Sequence, residues 1–450
     1  MSGPLGISRR GWWRLLVVLA VVYSALHVGY SMVTYNPISS PYASGDFKRA
    51  YGEMMDWRST GALDPKEVLH PPLYYVLLRP LALLDMATVV RILYVSQFLW
   101  YPLAVLLLVR IAAGGARPRA SEYVLATVLL VNFQPFLETV AMHKVEGLEF
   151  VLLCLAIELF RRGRDALAGA TVGLGANLKY LPVILGLYFL AKRERRVLAG
   201  MLAAGAVCAA LSIAVMSRAG WAAALRYPLT LAFAHQHEGN RPEANMEFQT
   251  LSGAISRAMV GRDGMLEHFR TQQHVPIPHP ALAFRLATGL KLGILLLYFY
   301  AMRRRWPAAA RQTYWPVILC ELSLTLLLTL VIAQASKVHY NILVLPAFIS
   351  TALLLWRHPQ VLGWPERLLF GVAYGLTAMV IPGGLLNRLP PHPVWGSFHS
   401  FAYLWFSLPF LGNLILAACL IRCRARLLRH LAGAPAHRVA LAAAAEQVVA

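Results

Sequence analysis

The stretch RRGRDALAGATVGLGANLKYLPVILGLYFLAKRERR, residues 161–196, decides the fold class of this chain. Basic clusters stand at both of its ends, and the apolar run between them, 166–191, carries a single charge, Lys179. A run of this length crosses a bilayer of about 30 Å, and lysine and arginine in short loops mark the cytoplasmic side. Both ends stay cytoplasmic only if the run turns back, so we predict two short arms, 166–178 and 180–191, that turn at 177–182.

The rest of the chain repeats this alternation of apolar runs and basic clusters. Of its 450 residues, 58% are hydrophobic and 14% are charged, with a mean hydropathy of +0.55, whereas a soluble domain carries about 25% charge. The net charge of +21 lies in short clusters between the runs. This is the positive-inside pattern of a membrane protein, with contacts to anionic lipid headgroups as the alternative reading. We therefore predict membrane lipids as partners and no nucleic acid.

The basic clusters also fix the direction of each predicted span. The apolar segment 71–84 is too short to cross the bilayer, and counting it would move the cluster Arg110–Arg119 to the outside, so we predict a helix in the outer interface. The predicted fold is all-α: a polytopic bundle of about 12 transmembrane helices with juxtamembrane helices on the outer face. The spans are 12–33, 89–110, 122–141, 145–160, 166–178, 180–191, 197–217, 283–302, 314–335, 340–356, 368–384 and 398–421.

This topology divides the chain into five parts. A cytoplasmic N-terminus, 1–11, precedes a core, 12–217, whose first outer loop is 34–88. A long outer loop, 218–282, separates this core from the C-terminal spans, 283–421, and a cytoplasmic tail, 422–450, follows. The five cysteines fall in spans or at the tail, so we expect neither a disulfide nor a metal site built on them.

Chemistry is expected on the outer side, because the cytoplasmic loops are short, basic and without an acid–base pair. Lysines and histidines around one outer cavity would bind a lipid phosphate and stabilise it as a leaving group. No Walker A loop, GxGxxG or HExxH sequence is present, so the energy of a reaction must come from an activated substrate, such as a lipid-linked phosphosugar. The substrate-binding candidates are His70, His143, Lys144, Lys179, Gln249, Lys337, His339 and Tyr340, and the catalytic candidate is Asp46.

Each of the main candidates also has a plainer interpretation. Asp46 suits a general base at the membrane surface, but an aspartate here can equally cap the helix that begins at Phe47. Lys179 has no headgroup to reach from the turn of the short arms and suits a phosphate, or else forms an ion pair with Glu146 or Glu149. His70 can be a ligand or a headgroup contact.

The order of these motifs resembles a known family. The motifs are Gly45-Asp46-Phe47, Pro71-Pro72-Leu73-Tyr74-Tyr75, Leu178-Lys179-Tyr180-Leu181-Pro182, and Lys337-Val338-His339-Tyr340-Asn341 followed by Leu345-Pro346. Over roughly 10–420 the chain resembles the GT-C superfold of membrane glycosyltransferases. Within that superfold it is most similar to the polyprenyl-phosphate-mannose-dependent mannosyltransferases of glycosyltransferase family 87.

The resemblance implies that a hexose, with mannose expected, moves from a polyprenyl-phosphate donor to a hydroxyl of a lipid or glycan acceptor on the outer face. It implies inversion at the anomeric carbon, Asp46 as the catalytic base, and Lys179 and His339 at the donor phosphate. Many relatives carry two adjacent acids or a metal site in the first loop. This chain has a single acid at that motif, so the resemblance does not decide whether a divalent cation takes part in the reaction.

Two further expectations follow from this reading. The enzyme would sit in the inner membrane of a bacterium, with both termini cytoplasmic, and serve the cell envelope. The alternative is a transporter or flippase of lipid-linked sugars, for which the absence of internal repeats and the one-sided polar residues are unfavourable.

Overall fold

The computed structural model describes residues 18–29, 45–60, 70–141, 145–233, 243–244, 249–271, 275–306, 308–333, 338–379, 388–391 and 399–433. These are helical apart from turns and one two-residue antiparallel ladder, in which β1 (Glu243–Ala244) pairs with β2 (Val275–Pro276). The helices are α1 (Val18–Gly29), α2 (Gly45–Thr60), α3 (Pro72–Leu78), α4 (Met86–Ala113), α5 (Ala120–Val131), α6 (Gln134–Ala141), α7 (Glu146–Arg161), α8 (Asp165–Leu178), α9 (Ile184–Lys192), α10 (Arg195–Phe233), α11 (Leu251–Thr271), α12 (Pro280–Met302), α13 (Trp315–Ile332), α14 (Leu345–Arg357), α15 (Trp364–Ala378), α16 (His399–Trp405) and α17 (Leu408–Gly433).

The all-helical prediction is confirmed, whereas the predicted count of twelve spans stays a prediction. Within the described ranges, five helices are long and apolar enough to cross a membrane: α4, the first part of α10 (Arg195–Met216), α12, α13 and α17. The bent pair α5–α6 makes a sixth if it counts as one span. Shorter apolar helices, among them α1, α9 and the segment Asn341–Arg357, lie within other predicted spans.

The predicted span 122–141 is broken rather than continuous. Helix α5 ends at Val131, α6 begins at Gln134, and their axes differ by 71°. Pro135 is the physical reason, because proline has no amide hydrogen to continue the helical ladder from α5. Asn132 occupies the break, and its side-chain amide donates to the Ser24 hydroxyl of α1 at 2.6 Å and to the Val128 carbonyl at 2.8 Å.

The two short arms predicted from residues 166–191 are present. Helix α8 ends at Leu178, Lys179 is extended, and a 3-10 turn at Leu181–Val183 leads into α9. Arm α8 packs tightly on α10 because both helices carry glycine at the contact. A Cβ on Gly169 would lie 1.9 Å from the Val197 carbonyl oxygen, and one on Gly200 would lie 2.1 Å from that of Ala166.

The segment 218–282, predicted as a long loop, contains two stretches of helix. Helix α10 continues without a break to Phe233 over 39 residues, and α11 occupies Leu251–Thr271 with a kink at Gly261, where φ is 69°. The predicted span 398–421 is also divided. Helix α16 ends at Trp405, Ser407 takes a left-handed conformation with φ of 58°, and α17 starts at Leu408.

One end of the bundle gathers the basic clusters, and we call it the basic end. There Arg357 pairs with Glu122 at 2.6 Å, Arg311 with Asp165 at 2.6 Å, and Arg424 with Glu321 at 2.8 Å. These pairs connect helices that are far apart in sequence. The starts of α4, α7 and α17 and the turn at Lys179 lie at the other end, which we call the opposite end.

Candidate functional site

The start of α2, which carries Asp46, packs against α4 at the opposite end. Phe47, in the first turn of α2, is buried against Val89, Val90 and Leu93 of α4, with Val145 packed on the same cluster. Helix α2 begins at Gly45, so Asp46 lies inside its first turn and not at a cap before Phe47. The side chain of Asp46 is outside the described part of the structure. Phe47 is 4% exposed and therefore lies in protein contacts.

His70 is brought toward the turn of the short arms by the helix that follows it. Leu73 of α3 packs with Leu178, the residue before Lys179, in one small cluster. The His70 ring lies 4.1 Å from the Tyr74 ring, centroid to centroid. Next to it, the Tyr75 hydroxyl donates to Glu53 of α2 at 2.6 Å. The predicted interface helix 71–84 is thus helical over Pro72–Leu83 and holds α2 against the bundle.

The centre of the site is a cluster of buried charges between α7 and the turn after α8. The Lys179 ammonium donates to Glu146 Oε1, and the residues are 7% and 0% exposed. This is the ion pair named above as the alternative for Lys179. It leaves the donor-phosphate role a prediction. Glu149 lies one helical turn beyond Glu146, so both carboxyls face the same side of α7.

Several polar atoms of this cluster have no hydrogen-bond partner among the described residues. They are both carboxyl oxygens of Glu149, Oε2 of Glu146 and the hydroxyl of Tyr101. Leaving buried polar groups without partners costs free energy, and such groups in native proteins call for a ligand, a water or a functional reason. The arrangement offers carboxyl acceptors and one hydroxyl beside a cation, which is suited to the hydroxyls and phosphate of a sugar phosphate.

A tight contact between α4 and α7 places Gln97 and Tyr101 beside these acids. Gly147 makes the contact possible, because a Cβ there would lie 2.5 Å from Gln97 Oε1 and 3.2 Å from Trp100 Cβ. Gln97 and Tyr101 are 3% and 2% exposed. They are buried polar groups in a helix that is long and apolar enough to cross a membrane. The sequence reading missed both, although polar residues within a predicted span were the available signal.

An apolar cavity of about 540 Å³ begins at Gln97 and Tyr101. It runs between α4, α5 and α6 and opens toward the exterior of the bundle at Phe98 and Leu106, which are 54% and 48% exposed. The bend between α5 and α6 shapes its wall. The cavity therefore runs from the exterior of the bundle to Gln97 and Tyr101, which are neighbours of the buried acids, whereas Glu146, Glu149 and Lys179 do not line it.

The structure describes the remaining predicted site residues to different extents. His143, Lys144 and Lys337 lie outside the described residues, and only the backbone is described for His339 and Tyr340, in the 3-10 helix Val338–Val344. That helix packs on α6 and α7, which brings its backbone to the same end. Gln249 is buried, and its side-chain amide donates to the Leu404 carbonyl of α16 at 2.9 Å. Within the described ranges, no group of three histidine, cysteine or acidic side chains is placed to hold a metal ion.

Comparisons with known proteins show which enzymes this chain resembles. The model of glycosyltransferase family 87 matches residues 69–269, which contain His70, Lys179 and Gln249 but not Asp46. The polyprenol-phosphate-mannose-dependent alpha-(1-2)-phosphatidylinositol mannoside mannosyltransferase of Mycobacterium tuberculosis (strain ATCC 25618 / H37Rv) is 26% identical over 359 residues, which cover 75% of this chain and 74% of that protein. The similarity of this chain to the glycosyltransferases of family 87 is thereby confirmed.

Proposed function

We propose that this protein is a membrane mannosyltransferase that uses a polyprenyl-phosphate mannose donor. The acceptor is a hydroxyl of a lipid or a lipid-linked glycan, and transfer takes place at the opposite end of the bundle, on the outer face of a bacterial inner membrane. Both termini are then cytoplasmic, because the basic end faces the cytoplasm. Support comes from the family match and from the mycobacterial relative, whose donor is a polyprenol-phosphate mannose.

The observation that carries the proposal is that the apolar cavity and the helix with the buried acids share Gln97 and Tyr101 as neighbours. A polyprenyl chain is a long hydrocarbon, and a cavity of about 540 Å³ with apolar walls suits part of it. Gln97 and Tyr101 line the cavity and lie beside the helix that carries Glu146 and Glu149. A donor whose tail lies in this cavity presents its sugar phosphate to the polar cluster.

The residues then divide the reaction between them. Asp46 takes the proton of the acceptor hydroxyl while the oxygen of that hydroxyl attacks the anomeric carbon of mannose. The bond from that carbon to the phosphate oxygen breaks, and polyprenyl phosphate leaves with both bonding electrons. Lys179 and His339 stabilise the charge that develops on the phosphate. A single displacement of this kind inverts the anomeric carbon.

The sugar hydroxyls of the donor are natural partners for the second acid. Glu149 supplies acceptors that no described protein group uses, and mannose presents several hydroxyl donors. His70, His143, Lys144, Gln249, Lys337 and Tyr340 remain proposed substrate contacts around the same cavity. No step in this scheme requires a metal ion, and the candidate divalent cation has no cluster of ligands among the described residues.

A transfer assay tests the proposal. Purified protein in proteoliposomes is supplied with radiolabelled polyprenyl-phosphate mannose, polyprenyl-phosphate glucose or GDP-mannose, each with a mixture of envelope lipids. We expect label in a glycolipid only with the polyprenyl-phosphate mannose. Transfer from GDP-mannose alone would refute the donor class. Label that crosses the bilayer still attached to the polyprenyl phosphate would support the transporter instead.

A further inference from the structure

The buried acids Glu146 and Glu149 carry more negative charge than the described residues around them balance. They are 0% and 1% exposed. The charged groups that act on Glu149 are Lys179 and Glu146, and the Lys179 ammonium is bonded to Oε1 of Glu146. Two carboxylates beside one described ammonium leave an excess of one negative charge. A charge without a counter-charge is costly inside a protein, so this excess calls for a positive partner.

Oxygen atoms without hydrogen-bond partners lie beside this excess charge. Among the described residues these atoms include Oε2 of Glu146, both carboxyl oxygens of Glu149 and the Tyr101 hydroxyl. Tyr101 is 2% exposed, and the charged groups that act on its hydroxyl are the same two acids. The hydroxyl thus lies near both carboxyls and donates to neither. Such a set of oxygens is suited to a hard cation, which takes oxygen ligands from several side chains.

Gln97 adds a neutral oxygen from the neighbouring helix α4. Its side-chain amide nitrogen donates to the Leu93 carbonyl of the same helix at 3.1 Å. Its Oε1 lies against α7 at Gly147, where a Cβ would come within 2.5 Å of it, and Gly147 follows Glu146 in the chain. Amide oxygens join carboxylates as ligands of hard cations, so a cation here does not require a third acidic side chain.

We propose that Glu146, Glu149 and Tyr101 bind a monovalent alkali cation, with Oε1 of Gln97 as a further ligand. The charge of the cluster selects the ion. A monovalent cation neutralises the excess of one, a divalent cation leaves a positive excess, and a water molecule supplies hydrogen bonds but no charge. The ion joins α4 to α7 and thereby stabilises the opposite end.

The inference goes beyond the proposed function and does not depend on it. The ion requires one carboxyl oxygen of Glu149, and the other oxygen stays available to a hydroxyl of mannose.

Binding is tested on the purified full-length protein in detergent with sodium chloride as the probe, while choline chloride keeps the ionic strength constant. An ion that binds only the folded protein stabilises it, and at about ten times its Kd it favours the folded state about tenfold. We expect the melting temperature to rise and saturate with sodium, and radioactive sodium to be retained by the protein. Potassium and lithium chloride show which other monovalent ions bind, and a saturable response to at least one of the three is required.

Three variants test the ligands, and each is compared in sodium and in choline so that only the response to the ion is read. Glu149→Gln removes the excess charge and should abolish the sodium response. Tyr101→Phe removes a neutral ligand and should raise the Kd for sodium about tenfold, as the loss of one supporting partner does at other metal sites. The control is Glu366→Gln, which removes a buried acid with arginine partners at the basic end and should keep the response.

Three outcomes would overturn the proposal. Equal melting temperatures in sodium, potassium, lithium and choline would mean that a proton on Glu149, and no metal ion, balances the charge. Stabilisation by magnesium chloride but by none of the monovalent salts would contradict the charge of the ion. A sodium response that persists in Glu149→Gln would place the ion elsewhere. These measurements contain neither donor nor acceptor, so their result is independent of the transfer assay.

Discussion

The buried acids at the two ends of the bundle differ in their cationic partners. At the basic end Glu321 contacts both Lys192, at 2.7 Å, and Arg424, at 2.8 Å, and Glu366 contacts Arg422 and Arg426. At the opposite end one described cation, Lys179, faces two buried carboxyls, and Glu149 has no hydrogen-bond partner among the described residues.

This difference distinguishes the part of the bundle that stabilises the fold from the part proposed to carry out the reaction. A buried acid with a cationic partner connects helices, whereas a buried acid without one costs stability. Proteins retain such costs mainly where a ligand binds or a reaction takes place. We therefore propose that the basic end stabilises the bundle and that the opposite end holds the site.

The largest expected effect comes from the acid at the start of α2. Asp46→Asn should lower the rate of mannose transfer by about 10²–10⁴-fold, the usual contribution of a general base, with normal folding and insertion. The matched control is Asp56→Asn, because Asp56 is exposed on the same helix and should be neutral. Initial rates with labelled donor measure both. Transfer at the wild-type rate by Asp46→Asn would remove this residue from the mechanism.

Removing one cation from each end sharpens the comparison. Lys179→Met and Arg357→Met each leave a buried carboxyl unpaired, which costs about 3–5 kcal/mol, so both should lower the melting temperature. Only Lys179→Met should also reduce transfer per folded molecule.

Adding Glu146→Gln to Lys179→Met distinguishes the two roles of the lysine. The double variant should recover part of the stability, since the unpaired charge of Glu146 is gone while Glu149 remains, but it should not recover transfer. Recovery of both properties would show that Lys179 serves only as the partner of Glu146.

Helix packing connects the two ends, and it can be disturbed without changing any charge. Gly200→Ala places a Cβ 2.1 Å from the Ala166 carbonyl oxygen and should destabilise the protein by about 1–3 kcal/mol through overpacking. Gly205→Ala, on the same helix with nothing within 4 Å, is the control and should be neutral or slightly stabilising. Thermal unfolding in detergent compares them. Equal melting temperatures would contradict the close contact of α8 with α10.

The smallest expected effect separates the two kinds of acid directly. Glu149→Gln keeps the shape of the side chain and removes a buried ionisable group, so stability should be unchanged or higher, while transfer falls about tenfold, or about 1.4 kcal/mol in the barrier. Glu366→Gln at the basic end should do the reverse, with lower stability and normal transfer. A normal rate of mannose transfer by Glu149→Gln would show that the Glu149 carboxyl has no role in the reaction.

The sequence predicts features that depend on local pattern. Basic clusters at both ends of residues 161–196 predicted the two short arms, and the structure contains them. The isolated charge of Lys179 marked the turn for the same reason. These inferences succeed because basic clusters mark the cytoplasmic side. Two such clusters therefore require an even number of spans between them.

Features that depend on packing were missed. The 71° bend between α5 and α6 was overlooked although Pro135 marks it, since proline also occurs in continuous membrane helices. The sequence left open whether Lys179 binds a phosphate or pairs with Glu146 or Glu149. The packing of α7 on α8 shows the pair with Glu146, and the phosphate role stays a prediction. Arg257 of α11 donates to the Trp405 carbonyl at the end of α16, a contact between residues about 150 positions apart, which no local pattern reports.

The central claim is that the opposite end, which contains the buried acids Glu146 and Glu149, faces the outside and that the basic end faces the cytoplasm. Labelling with a membrane-impermeant maleimide in intact cells tests it most directly, because all five native cysteines are buried and a single added cysteine reports its own position. Asp56→Cys and Glu243→Cys should react in intact cells, whereas Arg303→Cys, exposed after α12, should react only after permeabilisation. Labelling of Arg303→Cys in intact cells, with Asp56→Cys protected, would contradict the claim.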